Sequence, residues 1–441
     1  MTPNFDAQIR AALGTDLPAF EGLTVTGEGE LPACFAVSDL ALSTICAAMG
    51  EVAALTGAGR AVVDRRLALK WFDMTLKPDA WQLPSAWDAI AGDYEAADGW
   101  IRLHTNAPHH RDAALSVLGT PAEREQVAAR VATWAKDALE RAIVEAGGAA
   151  AAMHSLDTWQ RHPQGQAVAA EPLIAWEATG VAPRDTRLKG LRVLDLTRVL
   201  AGPVATRFLS GFGADVLRID PAWWSEPGVE PEVTLGKRRA GLDLTAQEDR
   251  ATFRHLLSKA DVLVHGYRAG ALEALGFGPE ARQAIAPGLI DVSLNAYGWT
   301  GPWAGRRGFD SLVQMSSGIA CEGMRLTAGD RPRPLPVQAL DHGTGYLMAA
   351  AVLRALRRRQ TTGKAWSARL SLARVAGVLT QAGARDLSGA ALGDLVSDWS
   401  ESVEQTDWGP ARRVIFPGTL DGAGPSWPRA AGRLRVDPAA W

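Results

Sequence analysis

Residues 188–220 read LKGLRVLDLTRVLAGPVATRFLSGFGADVLRID, and this stretch decides the fold class. It contains LRVLDL near its start and ADVLRID at its end, two short runs rich in leucine and valine that favour β-strands. Between them, AGPVATRFLSGFG has apolar residues at helical spacing and ends on a glycine. A strand, a helix and a second strand of this length form the unit from which parallel sheets are built.

The alternation of strand and helix continues as far as residue 298. The run LDLTAQEDRATFRHLLSKA predicts an amphipathic helix, with Thr245 as its N-cap and Glu248 completing a capping box. The runs DVLVHGYRAG and LIDVSLNAYGWTGPW predict two further strands, each followed by a turn. We therefore predict an α/β protein, in which a Rossmann-like, doubly wound parallel sheet is joined to a smaller α+β domain.

Composition divides the chain into three predicted parts. Residues 1–185 carry helical segments and then pass into a polar, proline-containing connection, which places a boundary near Asp185. Residues 186–390 hold the predicted parallel sheet. Residues 391–441 are rich in Gly, Pro, Trp and Arg, and we predict an irregular tail that wraps over the surface.

The overall composition is that of an ordinary soluble globular protein. Hydrophobic residues make up 47% of the chain and charged residues 22%, and the net charge of −3 provides no basic field for nucleic acid. The three cysteines lack metal-ligand spacing and are too few for a disulfide framework, so we expect no metal and a cytoplasmic location. No window approaches the ~20 uninterrupted apolar residues of a membrane span, so we expect no membrane partner.

One pattern occurs twice along the chain. DHGTGYLMAAAVLRALRRRQTTGK begins at Asp341, and DLALSTICAAMGEVAALTGAGR begins at Asp39, 302 positions earlier. Each aspartate opens an alanine-rich helical run that ends in a glycine followed by a basic residue. The match indicates an internal repeat, although alanine-rich helices resemble one another easily.

Asp341 stands close before two glycines at the start of a predicted helix. A helix N-cap is the simplest role for an aspartate at this place. The alternative is a nucleophile, because a carboxylate free of ion pairs can attack an electrophilic carbonyl while N–H groups at a helix start stabilise the oxyanion. In that role Gly343 and Gly345 let the substrate approach the backbone, and we predict both as part of the catalytic site. Asp39 lacks such glycines and is predicted to be a cap or a degenerate counterpart.

Several blocks of the sequence occur in the order found in one enzyme family. They are LKGLRVLDLTRVLAGPVATRFLSGFGADVLRID, GKRRAGLDL, ADVLVHGYRAGALEALGFG, LIDVSLNAYGWTGPWAGRRGFDSLVQMSSGIA and ALDHGTGYLMAAAVLRAL. Over roughly residues 187–380 the chain resembles the class III CoA-transferases of the CaiB/BaiF type, a group that includes formyl-CoA transferase, carnitine CoA-transferase and the α-methylacyl-CoA racemases.

The resemblance implies both a reaction and a catalytic residue. Coenzyme A is then a co-substrate, and it moves from an acyl-CoA to an acceptor carboxylic acid. Asp341 lies at the position of the family's catalytic aspartate. The resemblance implies that it forms a covalent aspartyl anhydride and then an aspartyl-CoA thioester.

The N-terminal part resembles the other end of the same family. SDLALSTICAAMGEVAALTGAGR is similar to the aspartate-helix segment, and the run from DGWIRLH to HPQGQAV is similar to the small domain that normally follows the Rossmann-like part. We interpret the chain as a back half joined to a front half by duplication, fusion and loss. The family normally forms an interlocked dimer, so the resemblance implies either a homodimer or a fused pseudo-dimer.

CoA carries phosphates and an adenine, so its site needs basic groups and an apolar slot. The candidates are basic residues at the ends of predicted strands: Arg198, Arg218, Lys237, Arg238 and Arg268. The resemblance adds Leu200 and Ala201, which match a segment that lies along CoA. It also adds Tyr267, which stands where the family block Asn-Phe-Arg-Pro-Gly has phenylalanine.

Three other interpretations stay open. A non-catalytic or weakly active homologue would agree with departures from the family blocks, such as Pro221 in place of an arginine. An acyl-CoA racemase is disfavoured because Phe309 replaces a histidine, and phenylalanine cannot exchange a proton. An NAD-dependent dehydrogenase would explain Asp220 at the end of the second strand, but the first turn reads TRVLAGPVA instead of G-x-G-x-x-G.

Overall fold

The computed structural model describes residues 5–182, 187–387 and 389–441, so the predicted boundary at Asp185 lies outside the described residues. The helices are α1 (Phe5–Leu13), α2 (Val37–Thr56), α3 (Arg65–Lys70), α4 (Pro108–Leu118), α5 (Arg124–Val131), α6 (Lys136–Glu145), α7 (Leu156–Arg161), α8 (Pro163–Ala170), α9 (Ala201–Gly211), α10 (Glu230–Val233), α11 (Gln247–Leu257), α12 (Ala271–Ala274), α13 (Pro279–Ile285), α14 (Asp310–Ser316), α15 (Ile319–Leu326), α16 (Ala339–Thr362) and α17 (Leu372–Gln381), with a 3₁₀ turn at Val396–Asp398.

The strands are β1 (Leu23–Thr26), β2 (Ala61–Asp64), β3 (Leu76–Pro78), β4 (Gly92–Ala96), β5 (Gly99–Leu103), β6 (Ala150–Ala152), β7 (Ala175–Val181), β8 (Arg192–Leu196), β9 (Asp215–Asp220), β10 (Arg238–Gly241), β11 (Val262–His265), β12 (Ile290–Asn295), β13 (Lys364–Ser371), β14 (Trp399–Thr406), β15 (Gly409–Val414) and β16 (Gly418–Leu420).

The central element is a seven-stranded sheet with the strand order β10-β9-β8-β11-β12-β13-β7. The first six strands run parallel, and β7 pairs antiparallel with β13 at one edge. Numbered along the chain from β8, the parallel strands have the order 3-2-1-4-5-6 of a Rossmann fold. The predicted α/β, doubly wound sheet is therefore confirmed. The strand order reverses between β8 and β11, and sheets of this kind bind ligands at the carboxyl ends of the strands beside such a reversal.

One helix start differs from the prediction. The N-cap of α11 is Ala246, which makes no side-chain cap hydrogen bond. The Thr245 hydroxyl instead donates a hydrogen bond to Asp243 Oδ1 at 2.8 Å. The predicted capping box is wrong because the Asp243 carboxylate, two residues earlier, captures the threonine in a local turn.

The N-terminal part is distributed between two regions of the fold. β7 lies in the central sheet, and α2 packs against α16 within the same hydrophobic core as β8 and β12. The residues between Ile90 and Ala150 form a second core, in which α4, α5 and α6 cover the antiparallel sheet β4-β5-β6. Packing of α2 on α16 thus merges the first part of the chain with the sheet domain.

The tail after residue 391 is not irregular as predicted. β14 and β15 form a sheet with β3, and β16 pairs antiparallel with β2. These C-terminal strands satisfy backbone groups at the edges of short N-terminal strands, an arrangement that local composition does not reveal. Through these strand pairs the tail packs against the N-terminal part of the chain.

Helix α2 passes a length and composition test for a membrane span among the described residues, with a mean hydropathy of 1.3. In the fold, 61% of that window is buried inside the protein, against α1 and α16. A buried core helix of a soluble protein passes the same test, so this helix is weak evidence for a membrane.

Candidate active site

A cavity of about 370 Å³ opens at the carboxyl ends of β8, β11 and β12. The turn after β8 contributes Thr197, Arg198, Val199 and Ala201 to its wall, and the turn after β11 contributes the range 266–268. The cavity therefore lies at the reversal of strand order, where Rossmann-type sheets bind their ligands. Asp341, at the start of α16, lines the same cavity.

Asp341 is the third residue of α16 and is 7% exposed. The N-cap of this helix is Gln338, so the interpretation of Asp341 as a helix N-cap is wrong. The backbone N–H of Asp341 donates to Asp310 Oδ2 at 2.9 Å. No residue in the described part of the chain donates a hydrogen bond to the Asp341 carboxylate or lies within ion-pair distance of it, so this group is available to a ligand in the cavity.

Two buried carboxyls meet at this point. Burial, and secondarily the charge of Asp310, raise the pKa of Asp341 well above its usual value. Burial also raises the pKa of Asp310 to about 6, even though Gln314 and backbone N–H groups donate hydrogen bonds to it. Two neighbouring carboxyls in a low-dielectric site resist ionising together. The Asp341 carboxylate is thus poorly solvated and strongly basic.

The two glycines after Asp341 do not have the predicted position. Gly343 and Gly345 lie inside α16, beyond the first turn, and neither lines the cavity. A Cβ at Gly345 would lie 2.4 Å from the backbone oxygen of Ala201, whereas a Cβ at Gly343 would make ordinary contacts at 3.5 Å. Gly345 allows α16 to approach α9 closely, and neither glycine lies in the cavity wall, where it was predicted to let the substrate approach the backbone.

Four of the predicted CoA-binding residues meet in the cavity: Arg198, Ala201, Tyr267 and Arg268. The Arg198 guanidinium lies 4.7 Å from the ring centre of Trp224, 5.2 Å from that of Trp223 and 5.7 Å from that of Tyr267. This cluster combines a positive charge with flat aromatic faces. It has the chemistry to hold an adenine or a phosphate.

The other predicted CoA contacts lie elsewhere, and the cause is ion pairing or burial. Arg218 is fully buried and pairs with Asp220 at 2.8 Å and with Glu226. Lys237 is fully buried and pairs with Asp195 at 3.0 Å. These cations hold the sheet together and do not line the cavity.

Two more predicted contacts are also displaced from the cavity. Arg238 pairs with Asp215 at 2.7 Å, on the outer strand of the sheet. Leu200 is 8% exposed and packs into the hydrophobic core at the start of α9. Neither residue is among those that line the cavity.

Other residues that line the cavity escaped the sequence analysis. His109 and His110 reach it from the start of α4, and Arg307 reaches it from the loop before α14. Burial, and then the charge of Arg268, lower the pKa of Arg307, and no described acidic residue lies within ion-pair distance of either arginine. The sequence analysis did not single out the double histidine, because it lies 78 positions before the first motif block and matches none of the quoted blocks.

The backbone is strained at one point of the cavity wall. Val199 has a φ of 64°, an unfavourable conformation for a β-branched residue. Its N–H donates to Glu226 Oε2 at 2.8 Å, which holds the turn in place. Strained residues of this kind gather at functional sites, where the surrounding structure imposes the conformation.

The repeated pattern in the sequence has a counterpart in three dimensions. Asp39 is the third residue of α2, as Asp341 is of α16. The N-caps have similar backbone angles, with φ −75° and ψ 50° at Ala36 and φ −76° and ψ 64° at Gln338. Both helices end on a glycine in the left-handed conformation, and each is followed by a strand and then a helix.

The two copies differ at one position that controls the aspartate. α3 and α17 follow the repeated strands, and their N-caps, Asp64 and Ser371, each accept a hydrogen bond from the third residue of the helix. The first residue of α3 is Arg65, which pairs with Asp39 at 2.9 Å. The first residue of α17 is Leu372, which lines the cavity and carries no charge. The aspartate of α2 is therefore neutralised, whereas that of α16 is free.

One protein family matches the part of the chain that holds the parallel strands and Asp341. Residues 188–390 match the model of CoA-transferase family III. The match covers 203 of the 441 residues and includes all the motif blocks that resemble this family. Among the described residues, no group of three or more His, Cys, Asp or Glu side chains could hold a metal ion.

Two relatives each match about two fifths of the chain. The probable fatty acyl-CoA transferase Rv3272 of Mycobacterium tuberculosis is 34% identical over 192 residues, which are 40% of this chain and 48% of the relative. The succinyl-CoA:glutarate CoA-transferase of Mus musculus is 35% identical over 193 residues, 40% of this chain and 43% of the relative. The chain spans about half the length of these relatives. A crystal structure of Rv3272 is 31% identical, covers 45% of this chain and 56% of that chain, and has a TM-score of 0.39.

Proposed function

We propose that this protein transfers CoA from an acyl-CoA to a carboxylic acid, with Asp341 as the covalent nucleophile. The observation that carries the proposal is the Asp341 carboxylate, which lines the cavity at the strand reversal and pairs with no described residue. Its counterpart Asp39 has the same helix position but is paired with Arg65. An aspartate with only a structural role would have no need to be free of an ion pair.

The reaction proceeds through exchanges at carbonyl carbons. An Asp341 oxygen attacks the thioester carbonyl carbon, the C–S bond of the adduct breaks, and CoA leaves as a thiolate while the acyl group stays on Asp341 as a mixed anhydride. The thiolate attacks the aspartyl carbonyl of the anhydride, which releases the donor's carboxylate and leaves an aspartyl-CoA thioester. The acceptor carboxylate then attacks this thioester, and the released thiolate attacks the acyl carbonyl of the new anhydride. Acyl-CoA of the acceptor leaves, and Asp341 is restored as a carboxylate.

The electrostatics of the cavity suit this chemistry. Burial raises the pKa of Asp341, so its ionised form is a stronger nucleophile than an exposed aspartate. Arg268 and Arg307 bring positive charge without a described acidic partner, and they attract the anionic groups of both substrates. The rate therefore rises with pH as Asp341 loses its proton.

The proposal also covers the substrates, the cellular location and the oligomeric state. The substrates are an acyl-CoA and a carboxylic acid, with no metal, nucleic acid or membrane taking part, and the protein acts in the cytoplasm. The pairing of α2 with α16 inside one chain supports a fused pseudo-dimer over an interlocked homodimer. Phe309 lines the cavity where a racemase has a histidine, which counts against racemisation.

Trapping of the covalent intermediate tests the proposal. The protein is mixed with acetyl-CoA, succinyl-CoA or a fatty acyl-CoA, quenched with hydroxylamine, digested and measured by mass spectrometry. We expect a hydroxamate on the peptide that contains Asp341 for at least one donor. Asp39→Asn is the matched control, because it changes the same position of the paired helix and should keep the mark on Asp341. A mark that persists on another residue in Asp341→Asn, or full turnover of that variant, would refute the proposal.

A further inference from the structure

His110 has an unusual position for a buried histidine. It is the third residue of α4, it is 4% exposed, and it lines the cavity together with Asp341. Neither of its ring nitrogens has a hydrogen-bond partner among the described residues. Most buried polar side chains do have one, so a fully unpaired imidazole in a cavity wall needs an explanation.

The neighbours of His110 explain its charge state. Burial lowers the pKa of His110 to about 3, and the charges of His109, Arg307 and Arg268 act in the same direction. The imidazole is therefore neutral at physiological pH, with one N–H and one lone pair. A neutral imidazole can donate a hydrogen bond without giving up its proton.

The packing around the ring offers no partner for that N–H. The ring lies edge-to-face against His109, with centres 4.1 Å apart, and against Phe309, with centres 5.7 Å apart. These contacts fix the plane of the imidazole without meeting its hydrogen-bonding capacity. The ring thus lies in the wall of the cavity, and no described residue accepts a hydrogen bond from its N–H.

We propose that His110 donates a hydrogen bond to the carbonyl oxygen of the bound acyl thioester and stabilises the oxyanion formed when Asp341 attacks. The inference rests on the proposed function and adds a catalytic residue to it. In this step the oxygen–carbon bond from Asp341 forms, the carbonyl π-electrons move to oxygen, and His110 keeps its proton throughout. When the C–S bond breaks, the carbonyl re-forms and the hydrogen bond weakens. Preorganised donors of this kind act on the transition state more strongly than on the substrate.

The origin of His110 makes this inference specific to the chain. The residue lies in the N-terminal part, outside the range 188–390 that matches the family model. Gly343 and Gly345, which were predicted to let the substrate approach the backbone, do not line the cavity. His110 therefore supplies the hydrogen bond to the oxyanion that the backbone at these glycines does not supply.

Two variants of the full-length protein separate donation from packing. His110→Leu fills the space without an N–H, and His110→Gln keeps an N–H donor. In single-turnover trapping, we expect His110→Leu to mark Asp341 about 10²–10³ times more slowly than wild type. His110→Gln should recover at least about tenfold of that loss, and both variants should bind free CoA as wild type does, because free CoA has no acyl carbonyl.

A binding measurement keeps the test independent of turnover. Wild type should bind an acyl-CoA about three- to tenfold more tightly than the thioether analogue that has a methylene in place of the carbonyl, and His110→Leu should lose this preference. Equal slowing of both variants, an unchanged rate in His110→Leu, or a preference that survives in that variant would overturn the inference. If wild type shows no mark on Asp341, the proposed function fails, and the binding preference alone then decides whether His110 meets the carbonyl. Thermal melting confirms that each variant is folded.

Discussion

Gly343→Ala and Gly345→Ala should have opposite effects, although the two glycines lie in the same buried helix. Alanine is favoured over glycine inside a helix by about 0.8–1 kcal/mol, and this gain is common to both variants. A Cβ at Gly345 would lie 2.4 Å from the Ala201 oxygen and 2.8 Å from Val204 Cβ, so α16 and α9 must separate. At Gly343 the nearest atoms, on Leu40, lie at 3.5 Å, an ordinary contact.

The difference between the variants isolates the cost of the clash. Forcing extra volume into a packed core costs typically about 1–3 kcal/mol, so Gly345→Ala should be less stable than Gly343→Ala by about that amount. Gly343→Ala should equal or slightly exceed wild type. Since Ala201 also lines the cavity, displacement of α9 should slow the marking of Asp341 in Gly345→Ala while Gly343→Ala keeps it.

Urea unfolding of the full-length variants, followed by tryptophan fluorescence, measures the first effect, and hydroxylamine trapping measures the second. Equal unfolding midpoints for the two variants would refute the helix-packing explanation. Loss of activity in Gly343→Ala without loss of stability would instead restore the glycine backbone as part of the catalytic site.

Two further predictions concern the charge around Asp341. Leu372→Arg should rebuild the ion pair seen in the other copy and hold the Asp341 carboxylate on the guanidinium, away from the thioester. Marking of Asp341 should therefore fall at least about tenfold in Leu372→Arg and stay unchanged in Leu372→Met; normal marking of the arginine variant would contradict the comparison of the two copies. Asp310→Asn should remove a carboxyl whose pKa is raised to about 6 in the folded protein. A carboxyl with a raised pKa contributes to the free energy of unfolding below its unfolded pKa of about 3.9, and this contribution is lost as the pH rises through 6. The free energy of unfolding of Asp310→Asn, compared with that of wild type, should therefore increase by up to about 3 kcal/mol between pH 4 and pH 7. Trapping of Asp341 should become fast at a lower pH than in wild type, because the charge of Asp310 no longer raises the pKa of Asp341. A stability difference that does not change with pH would show that Asp310 is not buried and neutral at low pH.

The class of fold could be predicted from local patterns. The strand runs in 188–220 and the repeats of strand and helix after them are read from side-chain periodicity, which depends only on neighbouring residues. The order of motif blocks also singled out Asp341 and Arg268. The start of α11 was missed because the Asp243 carboxylate, close in sequence, competes for the Thr245 hydroxyl.

The merging of the N-terminal part with the sheet could not be predicted in the same way. The pairing of α2 with α16 brings together residues about 300 positions apart, and no local pattern encodes such a contact. The same holds for β16, which pairs with β2. Composition alone described these segments as a small domain and an irregular tail.

By itself, the sequence determined that this chain carries a Rossmann-type sheet with a conspicuous aspartate at a helix start, because the periodicity of apolar residues and the order of the motif blocks are both visible in the sequence. Only the tertiary structure decided which charges are free. Arg218 and Lys237 pair with buried carboxylates, and Asp39 pairs with Arg65. Asp341 has no such partner among the described residues, and it lines a cavity together with Leu372 and His110. Reactivity depends on solvation and on opposite charges within a few ångströms, and those distances exist only after distant segments have packed together.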